Sequence, residues 1–536
     1  MSEVRDEPVP DPTEPPPTGE APARTRAVVV VVIDQLPTHA LETYLPHLSP
    51  TGAIRRGISR GAFHRRVVYP YAATYTAPGH AAIYTGAPSS ESGVVANQVY
   101  DYARAAAVAS VDDGQHPILG VPGDFASPLV LRAETVADVL DRATGGRAVV
   151  ASVSMKDRAA VLGGGRSPDL VLWYERSIPG FSASTYYGDE LPGWVTHWQA
   201  EHPIDSTLGV WEPDDAALYE RLLGPDDAPG EGGAHGLGVT FPHDPRAGDA
   251  PYSALRMMPA SSLYLLALAS EAARRTRIGE DDVVDLLVVS ISSIDYAGHT
   301  WGPHSWEYAD NLIRVDRALG SFLDELERTR GPLAVLITTD HGVATMPERA
   351  RAEGEPAGRV VASRLAEGLE SELDRVLGRG DWVAAFIQPF VYLSPSARDP
   401  ARRARAVAAA TRWLSARPGI EAVFDTREAV GWREDEDPLR RAVGLSVPDE
   451  PTGDLYVVPS RGYIVDNDPD GHGSSHGSPW DYDQTVPVIF WGTGVEQLET
   501  TEPLDQRRVA PTIAALLGVP SPSQAPPEPL PGVPAR

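Results

Sequence analysis

A chain of 536 residues exceeds what one simple core usually holds, so one large elaborated domain or two domains are expected. Its hydrophobic content of 42% is ordinary for a globular enzyme, while a formal charge of −28 repels phosphate backbones and excludes nucleic acid as a general ligand. Cysteine is absent, which rules out disulfides, thiolate catalysis and thiolate-held zinc.

The first 26 residues, "MSEVRDEPVPDPTEPPPTGEAPARTR", are rich in Pro and Glu and read as a disordered tail. They contain no apolar h-region, so the chain as written is cytoplasmic, with the periplasm or secretion the alternative if a leader was removed. No segment approaches the roughly 18 apolar residues that span a bilayer.

Residue 27 opens "AVVVVVIDQ", an apolar β-branched run that suits a strand buried on both faces of a parallel sheet and ends in Asp34. "YAATYTAPGHAAIYTGAP" follows. Its Thr76 precedes Ala-Pro-Gly-His and an apolar stretch, which puts it at or just before a helix N-terminus. Threonine there is a good cap, but helix-terminal N–H groups also favour a phosphoryl group. A hydroxyl becomes a nucleophile only with a base or a metal, and a metal is the help within reach. "GVVANQVYD" supplies Asn97.

"SVSMKDRAA" holds Lys156, the only lysine among 46 basic residues. In an extended segment Lys156 and Arg158, two apart, point the same way. Residues 163–280 are rich in Gly, Pro, Trp and acidic side chains, and read as an insertion or cap beside the sheet. Two further core runs, "VVDLLVVSISSID" and "LAVLITTDHG", flank a crossover helix over 308–329 with Leu312, Val315, Leu319, Phe322 and Leu326 at helical spacing. A second irregular stretch covers 434–483, a last run is "VPVIFWGTG", and residues 521–536 form a flexible Pro-rich tail. Alternating strands and helices imply an α/β fold: a mostly parallel central sheet between helices, with inserted cap regions, over 27–520.

Ligands of such sheets sit at the carboxyl ends of the strands, where Asp34, Asp295 and the pair Asp340–His341 all lie. Asp295 and His299, four apart, share one helical face, and "GSSHGS" adds His476. Three carboxylates and three imidazoles suit Zn²⁺ or Mn²⁺. Any one of them alone is an ordinary cap or surface histidine; their convergence is the signal. "GSSHG" also fits G-x-S-x-G around Ser475, but lacks the strand before and the helix after that a serine hydrolase needs.

The order Asp34, "TAPGH", "GVVANQVYD", "SMKDR", "SIDYAGH", "TTDHG" and "SSHGS" resembles the alkaline phosphatase superfamily. It is most similar to phosphate-irrepressible, zinc-dependent alkaline phosphatases with a threonine nucleophile, which are related to the nucleotide pyrophosphatases/phosphodiesterases. The resemblance implies two Zn²⁺ per chain. Asp34, Thr76, Asp340 and His341 would ligate one, and Asp295, His299 and His476 the other. It makes Thr76 the nucleophile and places Asn97, Lys156 and Arg158 on the phosphoryl oxygens of small phosphate monoesters. A phosphodiesterase or nucleotide pyrophosphatase is the alternative, and the Lys/Arg pair favours the monoesterase because a monoester dianion carries the extra charge. No third, magnesium site is expected.

Overall fold

The computed structural model describes residues 24–450, 452–466 and 471–533, so the expected N-terminal tail lies outside the described residues up to residue 23. A ten-stranded sheet runs through the centre of the molecule. Five strands are parallel and adjacent: Leu333–Thr338, Ala27–Ile33, Asp285–Ile291, Val150–Ser154 and Leu170–Glu175. Every residue of Ala27–Ile33 is buried. Its side chains alternate between two cores, Val29, Val31 and Ile33 facing one and Val28, Val30 and Val32 the other. That is why the run is apolar without a break. Helices Pro259–Arg275 and Trp306–Arg330 cover the first face; Val136–Thr144 and Val509–Leu517 cover the second. The expected crossover helix is Trp306–Arg330. Ser305 caps it by accepting from the Tyr308 N–H, and all five spaced apolar residues are buried.

Three stretches depart from their sequence reading. The strand of "VPVIFWGTG", Thr485–Trp491, runs antiparallel to both neighbours, which an apolar run cannot reveal. Within 163–280, Leu170–Glu175 and Gly180–Ser182 belong to the central sheet and Pro259–Arg275 packs on it, so the irregular part is the stretch between them. Residues 521–533 are not loose. Leu530 is fully buried, its N–H donates to Thr512 Oγ1, and the Pro531 carbonyl meets His64 Nε2 at 2.9 Å.

A second, four-stranded sheet was not foreseen, and one of its strands lies within 434–483, a stretch expected to be irregular. Its strands are ordered Val383–Ile387, Phe390–Leu393, Leu455–Pro459 and Ile420–Asp425, with helices Ala362–Leu377 and Pro400–Ser415 on one face. The other face packs on Ala72, Val95 and Ala96, next to the segments that carry Thr76 and Asn97. No helix among the described residues is long and apolar enough to cross a membrane.

Candidate active site

The parallel strands deliver their terminal residues to one edge. Asp34, Asp340 and His341 are wholly buried there, and Asp295 nearly so. Asp295 and His299 ride on helix Ser293–Thr300, whose turn brings His299 Nε2 to 3.2 Å from Asp295 Oδ1. His476 arrives from a loop, and its ring stacks on His341 with centroids 3.5 Å apart. That loop carries Ser475, but among the described residues the nearest strand, Tyr463–Asp466, does not lead directly into it and the nearest following helix is the four-residue Asp481–Gln484, so it forms no strand–turn–helix elbow.

Thr76 is the first residue of a ten-residue helix, Thr76–Thr85, buried along its whole length. The N-cap is Tyr75, so Thr76 is not the cap. Its Oγ1 lies 3.5 Å from both His341 Nε2 and Lys156 Nζ. Asn97 Oδ1 accepts the Ala77 N–H at 2.9 Å, which fixes the helix start and leaves the amide hydrogens of Asn97 for a ligand. Gly79 is needed for close approach: a Cβ there would strike the backbone carbonyl of Asp340. Gly79→Ala is expected to lower Tm, at a cost of about 1–3 kcal/mol for overpacking, and to cut kcat/KM at least about tenfold by prising the helix from Asp340. Thermal unfolding and steady-state rates check both.

Strand Val150–Ser154 ends two residues before Lys156, and a helix, Asp157–Gly164, begins immediately after it. The extended pattern expected of "SMKDR" therefore stops at Lys156, and Arg158 points from a first helical turn. Lys156 Nζ donates to Asp34 Oδ2 and Asp295 Oδ2, both at 2.6 Å, with its side chain 2% exposed. Arg158 Nη1 is 3.5 Å from Asp157, and its Nε is buried without a hydrogen-bond partner.

This donor set fits metal ions. Asp34, Asp340 and His341 place one ligand atom each within 4.8 Å of one another, and so do Asp295, His341 and His476. His341 thus stands between two pockets, where the sequence grouping assigned it to one. Each histidine has its Nδ1 engaged by a backbone carbonyl: His341 by Gly342, His299 by Ser474 and His476 by Thr74. Nε2 is thereby turned inward, the usual support of a ligating imidazole. Asp34 Oδ1 and Asp340 Oδ2 are buried carboxylate oxygens without a hydrogen-bond partner. Three carboxylates face one ammonium, and the shortage of positive charge falls on Asp34. Burial, then the Asp295 and Asp340 carboxylates, push it well above the usual carboxylate range. Asp295 is buried as deeply, yet Lys156 and His299 hold it well below that range. Burial, with the neighbouring His341 and His299, keeps His476 well below the usual imidazole value, neutral and able to ligate.

The structure brings all ten sequence-predicted residues to this edge. It also adds residues that the sequence did not single out. Gln35 has a left-handed backbone (φ 64°) and donates from its amide to Asp295 Oδ1 at 2.7 Å, bracing a carboxylate from behind. His80, of "TAPGH", pins the Thr76 carbonyl through Nδ1 and Ser290 through Nε2. An uncommon φ leaves no mark in a sequence; the fixed spacing of His80 after Thr76 was the one available signal.

Known proteins resemble this chain over most of its length. The family described as type I phosphodiesterase / nucleotide pyrophosphatase matches residues 28–479. The alkaline phosphatase PafA of Elizabethkingia meningoseptica is 29% identical over 94% of this chain and 93% of its own. The alkaline phosphatase PhoV of Synechococcus elongatus is 28% identical over 94% and 91%. A crystal structure of wild-type PafA superposes with a TM-score of 0.85 at 27% identity, covering 96% of this chain and all of the other. The chain belongs to the type I phosphodiesterase / nucleotide pyrophosphatase family, within the alkaline phosphatase superfamily.

Proposed function

We propose that this phosphate-ester hydrolase is a zinc-dependent alkaline phosphatase that cleaves monoesters through a phosphothreonine intermediate. One observation carries the reading. The Thr76 hydroxyl opens a buried helix, within 3.5 Å of a histidine nitrogen and an ammonium, amid three carboxylates and two further histidines. Two zinc ions, held by Asp34, Thr76, Asp340 and His341 and by Asp295, His299 and His476, would supply Lewis acidity to the phosphoryl oxygens and lower the proton affinity of hydroxyl and water.

Thr76 Oγ attacks phosphorus in line, the P–O bond to the alcohol breaks, and the phosphoryl group passes to the threonine. Water then attacks the phosphothreonine, phosphate leaves and Thr76 is restored. The N–H groups of the Thr76–Thr85 helix face this centre and favour its negative charge. Asn97, its Oδ1 tied to Ala77, offers amide hydrogens to a non-bridging oxygen. Lys156 and Arg158 complete the oxygen contacts.

These two cations separate the monoesterase from a diesterase, since a diester masks one of the oxygens they serve. A hydrogen bond to a charged group contributes about 1.5–3 kcal/mol, and a tenfold rate needs ~1.4 kcal/mol. Lys156→Ala and Arg158→Ala should each slow monoester hydrolysis by roughly tenfold to a hundredfold, and matched diester hydrolysis much less. Lys156→Arg should not rescue the rate, because a planar fork cannot replace a compact ammonium seated between two carboxylates. Equal losses on aryl monoester and diester would move the diesterase reading ahead.

A further inference from the structure

We propose that Arg256 and Tyr296 form a subsite beside the phosphoryl centre that binds an anionic group on the leaving side of the substrate. The preferred esters would then carry a second negative charge. This rests on reading the Thr76 centre as a monoesterase site.

Tyr296 follows Asp295 on helix Ser293–Thr300. Two cations lie against its ring, Lys156 Nζ at 5.0 Å and the Arg256 guanidinium carbon at 4.5 Å from the centroid. Arg256 Nη1 also donates to the Tyr296 hydroxyl at 2.9 Å. The ring thus ties Arg256 to the ammonium beside Thr76 at a separation below ~10 Å, within one Debye length in 0.1 M salt.

Arg256 is half-buried, forms no ion pair with a carboxylate among the described residues, and has its Nε buried without a hydrogen-bond partner. Acidic residues outnumber basic ones by 74 to 46 in this chain. No carboxylate pairs with this arginine directly, even in so acidic a chain, so its guanidinium keeps donors for an anion. More positive charge gathers at the same edge. Ser154 pairs with Trp173 in the parallel sheet, so Arg176, just past the end of Leu170–Glu175, lies near the level of Lys156. Burial, then Arg256 and Arg176, lower the pKa of His235 while Asp249 raises it, so both guanidiniums are within electrostatic reach of that imidazole with one carboxylate opposing them. The loop bearing His235 is fastened to the site: the Gly232 N–H donates to Thr300 O, and the Gly473 N–H to Gly230 O at 2.7 Å. A guanidinium fork suits a carboxylate or a phosphate equally, and either fits as the second group.

The test compares phenyl phosphate with 4-carboxyphenyl phosphate and 1,4-phenylene bisphosphate, which add a carboxylate or a phosphate to the same ring. Wild-type enzyme should favour at least one doubly anionic ester, and high salt should shrink that preference. Arg256→Met should lose about tenfold more kcat/KM on that ester than on phenyl phosphate, chiefly through KM, and Arg256→Lys should recover part of it. The arm that suffers more identifies the anion. Equal losses on all three esters, or a wild-type preference absent at low salt, would overturn the subsite and leave Arg256 a clamp on Tyr296. Thr76→Ala separates the two readings: if it is dead on phenyl phosphate while Arg256→Met treats the esters alike, only the subsite fails.

Discussion

Thr76→Ala is expected to abolish turnover, by at least about a thousandfold, in a protein that remains folded. The stability half of this expectation comes from the contacts the hydroxyl makes. Both are long, 3.5 Å to His341 Nε2 and to Lys156 Nζ, and the helix does not use Thr76 as its cap. Its loss therefore removes no strong hydrogen bond and should cost about 1 kcal/mol or less. The catalytic half follows because no nearby hydroxyl can substitute. Thr74, two residues earlier, spends its Oγ1 on the Ser478 carbonyl at 2.9 Å, and its own carbonyl holds His476 Nδ1. Thr76→Ser should keep measurable activity, and rapid quench of wild-type enzyme should trap phosphate on the peptide that contains Thr76. Near-native kcat in Thr76→Ala would remove the nucleophile assignment.

The site was legible because its residues follow strand ends, and strand ends follow uninterrupted apolar runs. Asp34, Asp295 and Asp340 could be placed at one edge without coordinates, since parallel strands share a carboxyl edge. What the sequence hid was set by long-range contacts. The turn from strand to helix at Lys156 shortened the extended segment, and Ser154 Oγ accepting the Lys156 N–H is part of that turn. Gln35 and Arg256 do their work across 260 and 40 residues of sequence, through Asp295 and Tyr296, and neither distance leaves a local pattern. The four-stranded sheet escaped for another reason. Its strands are four to six residues long, too short for a period-2 pattern to stand out beside arginine-rich helices. The C-terminal segment misled through composition alone: its prolines read as looseness, while Leu530 and two backbone contacts dock it.

Metal removal should have the other large effect, and it should reach stability as well as rate. Three carboxylates gather at one buried edge with a single ammonium between two of them, and two of their oxygens have no hydrogen-bond partner. Bringing those charges together without further cations is costly, because desolvation and like-charge repulsion both oppose it. Cations that bind only the folded chain repay that cost through mass action, about 4 kcal/mol when free metal is a thousandfold above Kd. Dialysis against a chelator should therefore abolish activity and lower Tm by several degrees, and added zinc should restore both. Elemental analysis of active enzyme should find two zinc ions per chain. His476→Ala should lower that number towards one, because its Nε2 faces one ligand cluster and its backbone contact, to Thr74, lies on the far side of the ring. Unchanged Tm and rate after chelation, with no transition metal in the protein, would leave the buried charges without a partner and end the zinc reading.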